Sequence, residues 1–570
     1  MKKQSFFKSS AILLSMVIIT KVLGLMFKIP LTHILGGTGM GYFSAAFSVF
    51  TPVFAIVVSG IPSSMAKMAA ENYALGRYSN LRRQKKAAHI TFGLMSIAAC
   101  GIIMLLSSPI ARFVMKEPTA KYALICVAPS VVFCTAMSVE RGYYEGLRNM
   151  LPTALSEIAE TIFKVVMGLG LALFTARYGE NQFLHTGECF GVACDSVEQA
   201  RELSLPFIAA AAILGSSLAS GFACGLLMIG TRIKGDGITR QMRESDKVTD
   251  SYRRISSLLL KCAMPIAFAA VITTLTGMID MLTINPCLRI AMERDITPFA
   301  DFIDSKISAA ELPNFMYGSY EGLASLVYGL VPTLTAMFGK SALPALTDAW
   351  ARGDKKAFSS NLHNMMIVSS IIAIPSGLGI CALSKSLLMF LFAGRTAEIE
   401  AASGPLAILG IGVVFMSMAL PCFTILQTLG NSRKNILIMA VGGVIKLVLN
   451  LVLVSDPNIG LEGAAYAETA SMIFVCVMSL KSVYSLTDEK CKVSETYIRP
   501  LYAALMCTVS AVLSRSFLSR QDIFDLNHRI ITVFSVAIGG IMYFISLYLL
   551  CETPKNLINY AISKKSSKST

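Results

Sequence analysis

The chain has 570 residues, 54% of them hydrophobic and only 15% charged, with a mean hydropathy of +0.63. That composition excludes a soluble globular domain and indicates a polytopic membrane protein. The net charge of +15 would suit a nucleic acid, but no DNA- or RNA-binding motif accompanies it; membrane topology and anionic-lipid contact account for it instead.

About fourteen apolar stretches, each of roughly 20 residues or more, read as membrane-spanning helices. They are 9–35, 42–72, 88–107, 122–144, 152–176, 204–231, 257–284, 319–349, 361–383, 401–429, 434–455, 460–482, 498–516 and 529–551. Such lengths favour helices over barrel strands, so the fold class is all-α. Lys2, Lys3 and Lys8 precede the first stretch without a cleavage site, so it reads as a signal anchor. Basic residues gather in alternate connections, such as Arg82, Arg83, Lys85 and Lys86, or Lys355 and Lys356. The positive-inside rule then puts both termini in the cytoplasm. The connections 177–203 and 285–318 are acidic and long, and read as exoplasmic. Most cysteines lie in apolar spans and act as small hydrophobes; Cys189 and Cys194 are the one candidate disulfide pair.

The chain repeats itself. Setting Tyr143 on Ile425 places Leu147 on Leu429, Asn149 on Asn431 and Lys164 on Lys446. A looser match sets the run from Ser63 against the run from Lys340; each closes an apolar helix with an acid, an aromatic and a glycine before a basic turn. Repeats in the same direction imply two similar six-helix lobes with the substrate between them. The expected organisation is a lobe over 1–231, a cytoplasmic linker over 232–256, a second lobe over 257–482, two added helices over 497–551 and a cytoplasmic tail over 552–570.

Three segments carry a resemblance: TKVLGLMFKIPLTHILGGTGMGYF at 20–43, ERGYYEGLRNMLPTALSEIAE at 140–160 and MIDMLTINPCL at 278–288. With them the chain resembles the multidrug/oligosaccharidyl-lipid/polysaccharide exporter superfamily, in its stage V sporulation protein B-like and lipid II flippase-like branch. The resemblance implies two six-helix lobes plus two helices, and alternating access for a polyprenyl-diphosphate-linked saccharide or peptidoglycan precursor. It implies membrane lipids and cell-envelope synthesis enzymes as partners, a place in the bacterial cytoplasmic membrane, and no cofactor. Some relatives carry arginines where this chain has Lys21 and Lys28, and lysine is a point charge rather than a fork.

Lys21, Lys164 and Lys446 lie near the centres of their spans, and Lys28 shares a helix face with Lys21. A lysine at bilayer centre costs about 2.5–3.5 kcal/mol on insertion scales, so it faces a wet cavity or a bundle interior. With Lys340 these four form the expected substrate-binding set, a cationic patch that draws in a diphosphate. Plainer readings stand beside them, among them Lys28 snorkelling outward. Glu160, one turn before Lys164, is a local ion-pair partner, Glu468 is a partner for Lys446, and Lys67 snorkels to an interface. Asp280 is a candidate for ion coupling or for pairing with a lysine, and Arg141 beside Glu140 reads as an interfacial charge pair. Enzyme readings fail: GKS at 339–341 lacks the P-loop glycine, with Leu334 in its place, and five scattered histidines make no zinc cluster. A cation-coupled multidrug exporter and a non-transporting envelope-assembly partner are the alternatives.

Overall fold

A computed structural model describes residues 6–114, 118–147, 149–236, 238–239, 250–304, 307–429, 431–487, 493–520 and 528–550. The protein is a polytopic all-α membrane protein. Twelve stretches of the described residues are long and apolar enough to cross a membrane. The first, Ser15–Ala74, has 60 residues, about 90 Å of helix at 1.5 Å per residue against a hydrocarbon core of about 30 Å. It therefore holds two crossings, the spans read at 9–35 and 42–72. The span read at 319–349 falls in the helical run from Leu312 to Ala351 and is not among the twelve.

By contacts the chain divides into two compact units, Met1–Leu282 and Thr283–Thr570. In the first, helix α1 (Phe6–Val58) breaks at Gly36, whose φ of 63° is open to glycine and strained for other residues. Then come α2 (Ile61–Ala74), α3 (Tyr78–Pro109), α4 (Lys121–Gly146), α5 (Leu151–Phe163), a π-helical turn (Lys164–Gly168), α6 (Leu169–Thr186) and α7 (Val197–Lys234). The boundary falls beyond the linker read at 232–256, because α8 (Tyr252–Arg294) is continuous across it. Its Ile255, Leu259 and Ala263 join the core of the first unit with Ile61, Met65 and Phe92. Its far end serves the second unit, where Thr283 Oγ1 accepts from Asn450 Nδ2 at 2.9 Å and Arg294 Nη1 donates to the Ser455 carbonyl at 3.2 Å.

The second unit continues through α9 (Ala300–Asp304), α10 (Leu312–Ser319), α11 (Ser325–Tyr328), α12 (Leu330–Ala351), α13 (Lys355–Leu391), α14 (Thr396–Thr428), α15 (Ser432–Leu453) and α16 (Glu462–Thr487). Two further helices follow, α17 (Arg499–Arg520) and α18 (His528–Leu550).

The repeat is present bond for bond in two turns. Leu147 N donates to the Tyr143 carbonyl and Asn149 N to that of Tyr144; Leu429 N and Asn431 N do the same to Ile425 and Leu426. At the looser match, Gly76 N bonds Tyr73 and Arg77 N bonds Asn72, as Gly353 N bonds Trp350 and Asp354 N bonds Ala349. Gly76 and Gly353 have φ of 70° and 69°, the left-handed helix ending that glycine permits. The buried cores use the same positions: Ala69, Leu81, Tyr143 and Tyr144 in one, Leu346, Phe358, Ile425 and Leu426 in the other.

The connection read at 177–203 is shorter than its polarity suggests. α6 runs to Thr186, α7 starts at Val197, and a two-residue-per-strand hairpin fills the gap, β1 (Glu188–Cys189) against β2 (Val192–Ala193). Cys189 and Cys194 are free thiols, bonded separately to the carbonyls of Ala200 and Val192. Cys189 pairs across the hairpin with Val192 rather than with Cys194.

Candidate functional site

Lys164 opens the π-helical turn between α5 and α6. Such one-turn insertions change which way a side chain points and recur at functional sites. The turn is held by close packing: a Cβ on Gly215 of α7 would lie 2.6 Å from the Gly168 Cα, and a Cβ on Gly168 would lie 2.6 Å from the Phe27 ring. Glycine at both positions lets α7 and α1 come this near. The Lys164 ammonium then stands over two rings, 5.1 Å from the Phe27 centroid and 5.5 Å from that of Phe47. Phe27 precedes the Gly36 break and Phe47 follows it, so the break in α1 brings both rings to one cation. A desolvated cation over an aromatic face gains about 2 kcal/mol.

Glu160 is not the ion-pair partner of Lys164. One of its oxygens accepts from Arg141 Nη2 at 3.0 Å and the other from Ser220 Oγ at 2.8 Å. Arg141 also donates Nε to Ser156 Oγ at 2.8 Å and lies 3.7 Å from Glu157. Among the described residues no carboxylate lies within 4 Å of the Lys164 ammonium.

The expected Arg141–Glu140 pair is likewise replaced. Neighbouring residues on a helix point about 100° apart and do not face each other. Arg141 turns towards α5, and Glu140 turns towards α3. There the buried Glu140 carboxylate meets Lys85 Nζ at 2.7 Å and His89 Nε2 at 3.1 Å. Lys85 lies over the rings of Tyr143 and Tyr144, at 5.0 and 5.6 Å.

Lys446 meets the partner its sequence offered. In the second unit its ammonium lies 2.6 Å from Glu468 Oε2, both side chains buried. The Tyr328 hydroxyl donates to the other Glu468 oxygen at 3.0 Å. Lys21 is exposed and Lys28 half-buried on α1, and Asp280 is buried on α8. Lys340 lies on α12 with its side chain outside the described residues. Phe27, Phe47, Lys85, His89 and Tyr328 are the participants that sequence reading missed. Nothing local marks the aromatics, but Lys85 and His89, i and i+4 on α3, carry the spacing of a shared helix face. Among the described residues no group of His, Cys, Asp or Glu could hold a metal ion.

The first unit thus presents a cation cradled by aromatic rings inside an apolar span, suited to accepting an anion. The second presents a cation already neutralised.

Residues 6–178 match the family described as polysaccharide biosynthesis protein. The chain is 22% identical to the lipid II flippase MurJ of Bacillus subtilis over 548 residues, 93% of each chain. It is 20% identical to stage V sporulation protein B of the same organism, over 87% of this chain and 86% of that one. Among solved structures, the fold is similar to that of the lipid II flippase MurJ in an inward closed conformation, at a TM-score of 0.64 and 14% identity, covering 95% of this chain and 98% of that one. It is also similar to an inward-facing multidrug resistance MATE transporter, at a TM-score of 0.57 and 12% identity, covering 85% and 100%.

Proposed function

We propose that this chain, whose relatives place it with the multidrug/oligosaccharidyl-lipid/polysaccharide exporters in their lipid II flippase-like branch, is a flippase for a polyprenyl-diphosphate-linked saccharide or peptidoglycan precursor. It moves that cargo across the bacterial cytoplasmic membrane by alternating access and performs no catalysis. The observation that carries the reading is the Lys164 ammonium, held over Phe27 and Phe47 with no carboxylate within ion-pair distance among the described residues. An ammonium in an apolar span is costly to desolvate without a counter-charge, and a diphosphate supplies one. Lys21 and Lys28, on the same helix as Phe27, extend the cationic path. Lys446 contributes to the architecture through Glu468 rather than to the cargo.

The acids favour this reading over a cation-coupled drug exporter. Glu140, Glu160 and Glu468 each face a lysine or an arginine, which leaves those three carboxylates committed rather than open to a coupling cation. In this reading both termini and the basic turns are cytoplasmic, and the hairpin at Glu188–Ala193 is exoplasmic. Reporter fusions after Gly187 and within 240–249 then report opposite sides; the same side for both overturns the topology.

The direct test is translocation of a diphosphate-linked lipid in vesicles holding the purified chain. Lys164→Gln and Lys21→Gln lose it while folding and expression persist, and Lys164→Arg keeps part of it. Wild-type translocation by Lys164→Gln would sink the assignment.

A further inference from the structure

The connection between α6 and α7 is acidic in sequence, yet an arginine stands on the helix at each of its ends. Arg177 of α6 and Arg201, in the second turn of α7, line one cavity of about 320 Å³ in the first unit, together with His33, Glu180, Ser204 and Ile208. Three local features assemble it. α1 breaks at Gly36 just after His33. α6 stops at Gly187, in the left-handed conformation at φ 70°. The hairpin then returns the chain to α7, whose first turn is capped by the Ser196 hydroxyl accepting from Gln199 N at 3.2 Å. The start of α7 adds its own positive end.

Neither arginine side chain has a hydrogen-bond, ion-pair or ring partner among the described residues, although Glu180 lines the same cavity. The remaining walls are aliphatic. A guanidinium presents a planar fork that matches phosphate oxygens two at a time. Two such forks without partners, beside an aliphatic wall at the end of membrane-spanning helices, fit a phosphate attached to a lipid chain.

We propose that Arg177 and Arg201 form an oxyanion site at the hairpin end of the first unit, and that it takes a lipid-borne phosphate or diphosphate. The ligand comes either from the cargo's diphosphate or from the headgroup of a bulk anionic phospholipid; the chemistry recognised is the same. Only the cargo source rests on the function proposed above. Glu180, one turn after Arg177, opposes the anion and keeps the site from holding it tightly, as a release site requires.

The test is native mass spectrometry on the purified full-length chain in detergent, titrated separately with farnesyl diphosphate, dioleoyl phosphatidylglycerol and inorganic pyrophosphate. The Arg177→Gln, Arg201→Gln double variant is expected to weaken binding of at least one lipid probe by about tenfold or more, as the loss of charge-assisted bonds dictates. Glu180→Gln is expected to strengthen the same probe, an effect of sign that a purely structural role does not produce. Arg177→Lys with Arg201→Lys retains the charge and keeps part of the affinity, which separates charge loss from misfolding. Stronger binding of farnesyl diphosphate supports the proposal with the cargo as source, and stronger binding of phosphatidylglycerol supports it with the bilayer as source. Pyrophosphate binding as tightly as both lipids overturns the lipid-borne assignment. Unchanged binding of both lipids by the double glutamine variant overturns the site itself. If Lys164→Gln loses translocation in that case, the proposed function stands without this site.

Discussion

Lys164 and Lys446 occupy the same place in two copies of one sequence pattern, each on the helix that follows a turn with identical backbone bonds. Their surroundings differ in kind. Lys164 stands over two phenylalanine rings in a π-helical turn, whereas Lys446 is sealed against Glu468, whose other oxygen accepts from the Tyr328 hydroxyl. The copies also differ one turn earlier. The first copy has Glu160 there, occupied by Arg141 and Ser220. The second has Gly442 in its place, packed tightly on Val475 and bonded through its carbonyl to the Ser471 hydroxyl. With no acid on its own helix, the second copy takes its carboxylate from α16. The repeat keeps the cation and changes what surrounds it: Lys446 sits against a carboxylate, and Lys164 sits over rings with no carboxylate within ion-pair distance among the described residues.

Removing one partner of a buried ion pair is the strongest way to break this contrast. Lys446→Gln leaves Glu468 buried without its cation and should cost about 3–5 kcal/mol. Replacing both residues with methionine should recover most of that loss, since apolar replacement of a buried pair is often neutral. Thermal unfolding in detergent, read by loss of the monodisperse peak, checks both; a harmless single variant would mean that the pair is not structural.

Glu160→Gln should be intermediate. It weakens the bond to Arg141, worth about 1.5–3 kcal/mol for a charged partner. Because Glu160 serves Arg141 rather than Lys164, the Glu160→Gln, Lys164→Gln double variant should show close to the sum of the two single losses. A double variant no less stable than Glu160→Gln alone would mean that Glu160 and Lys164 act as a pair.

The smallest effect on stability belongs to Lys164→Gln, which forfeits a cation–ring contact of about 0.5–2 kcal/mol. The same change should have a large effect on translocation. That opposition sharpens the comparison: the change at Lys446 should cost folding, and the change at Lys164 should cost transport. Phe27→Leu, which keeps an apolar side chain but removes one ring face, should lower translocation less than Lys164→Gln in the same vesicle assay.

Hydropathy alone determined the class of the molecule and nearly all of its helices, because a bilayer demands long apolar runs whatever their partners. The internal match at Tyr143 and Ile425 was legible because turn chemistry is local. At the looser match a glycine in the left-handed conformation ends each helix without help from elsewhere, at Gly76 and at Gly353, and at both matches the two copies share their backbone bonds. Lys164 and Lys446 stood out in the sequence in the same way, as charges inside single apolar spans. Which acid meets which base was decided only by the tertiary structure. Glu140 and Arg141 are adjacent in sequence and part company on the helix, while Tyr328 and Glu468 lie 140 positions apart and share a bond. The two rings under Lys164 likewise required the bend at Gly36 to fold α1 back around it. Pairings of this kind depend on how helices rotate and approach one another, which close glycine contacts set across the bundle rather than along the chain.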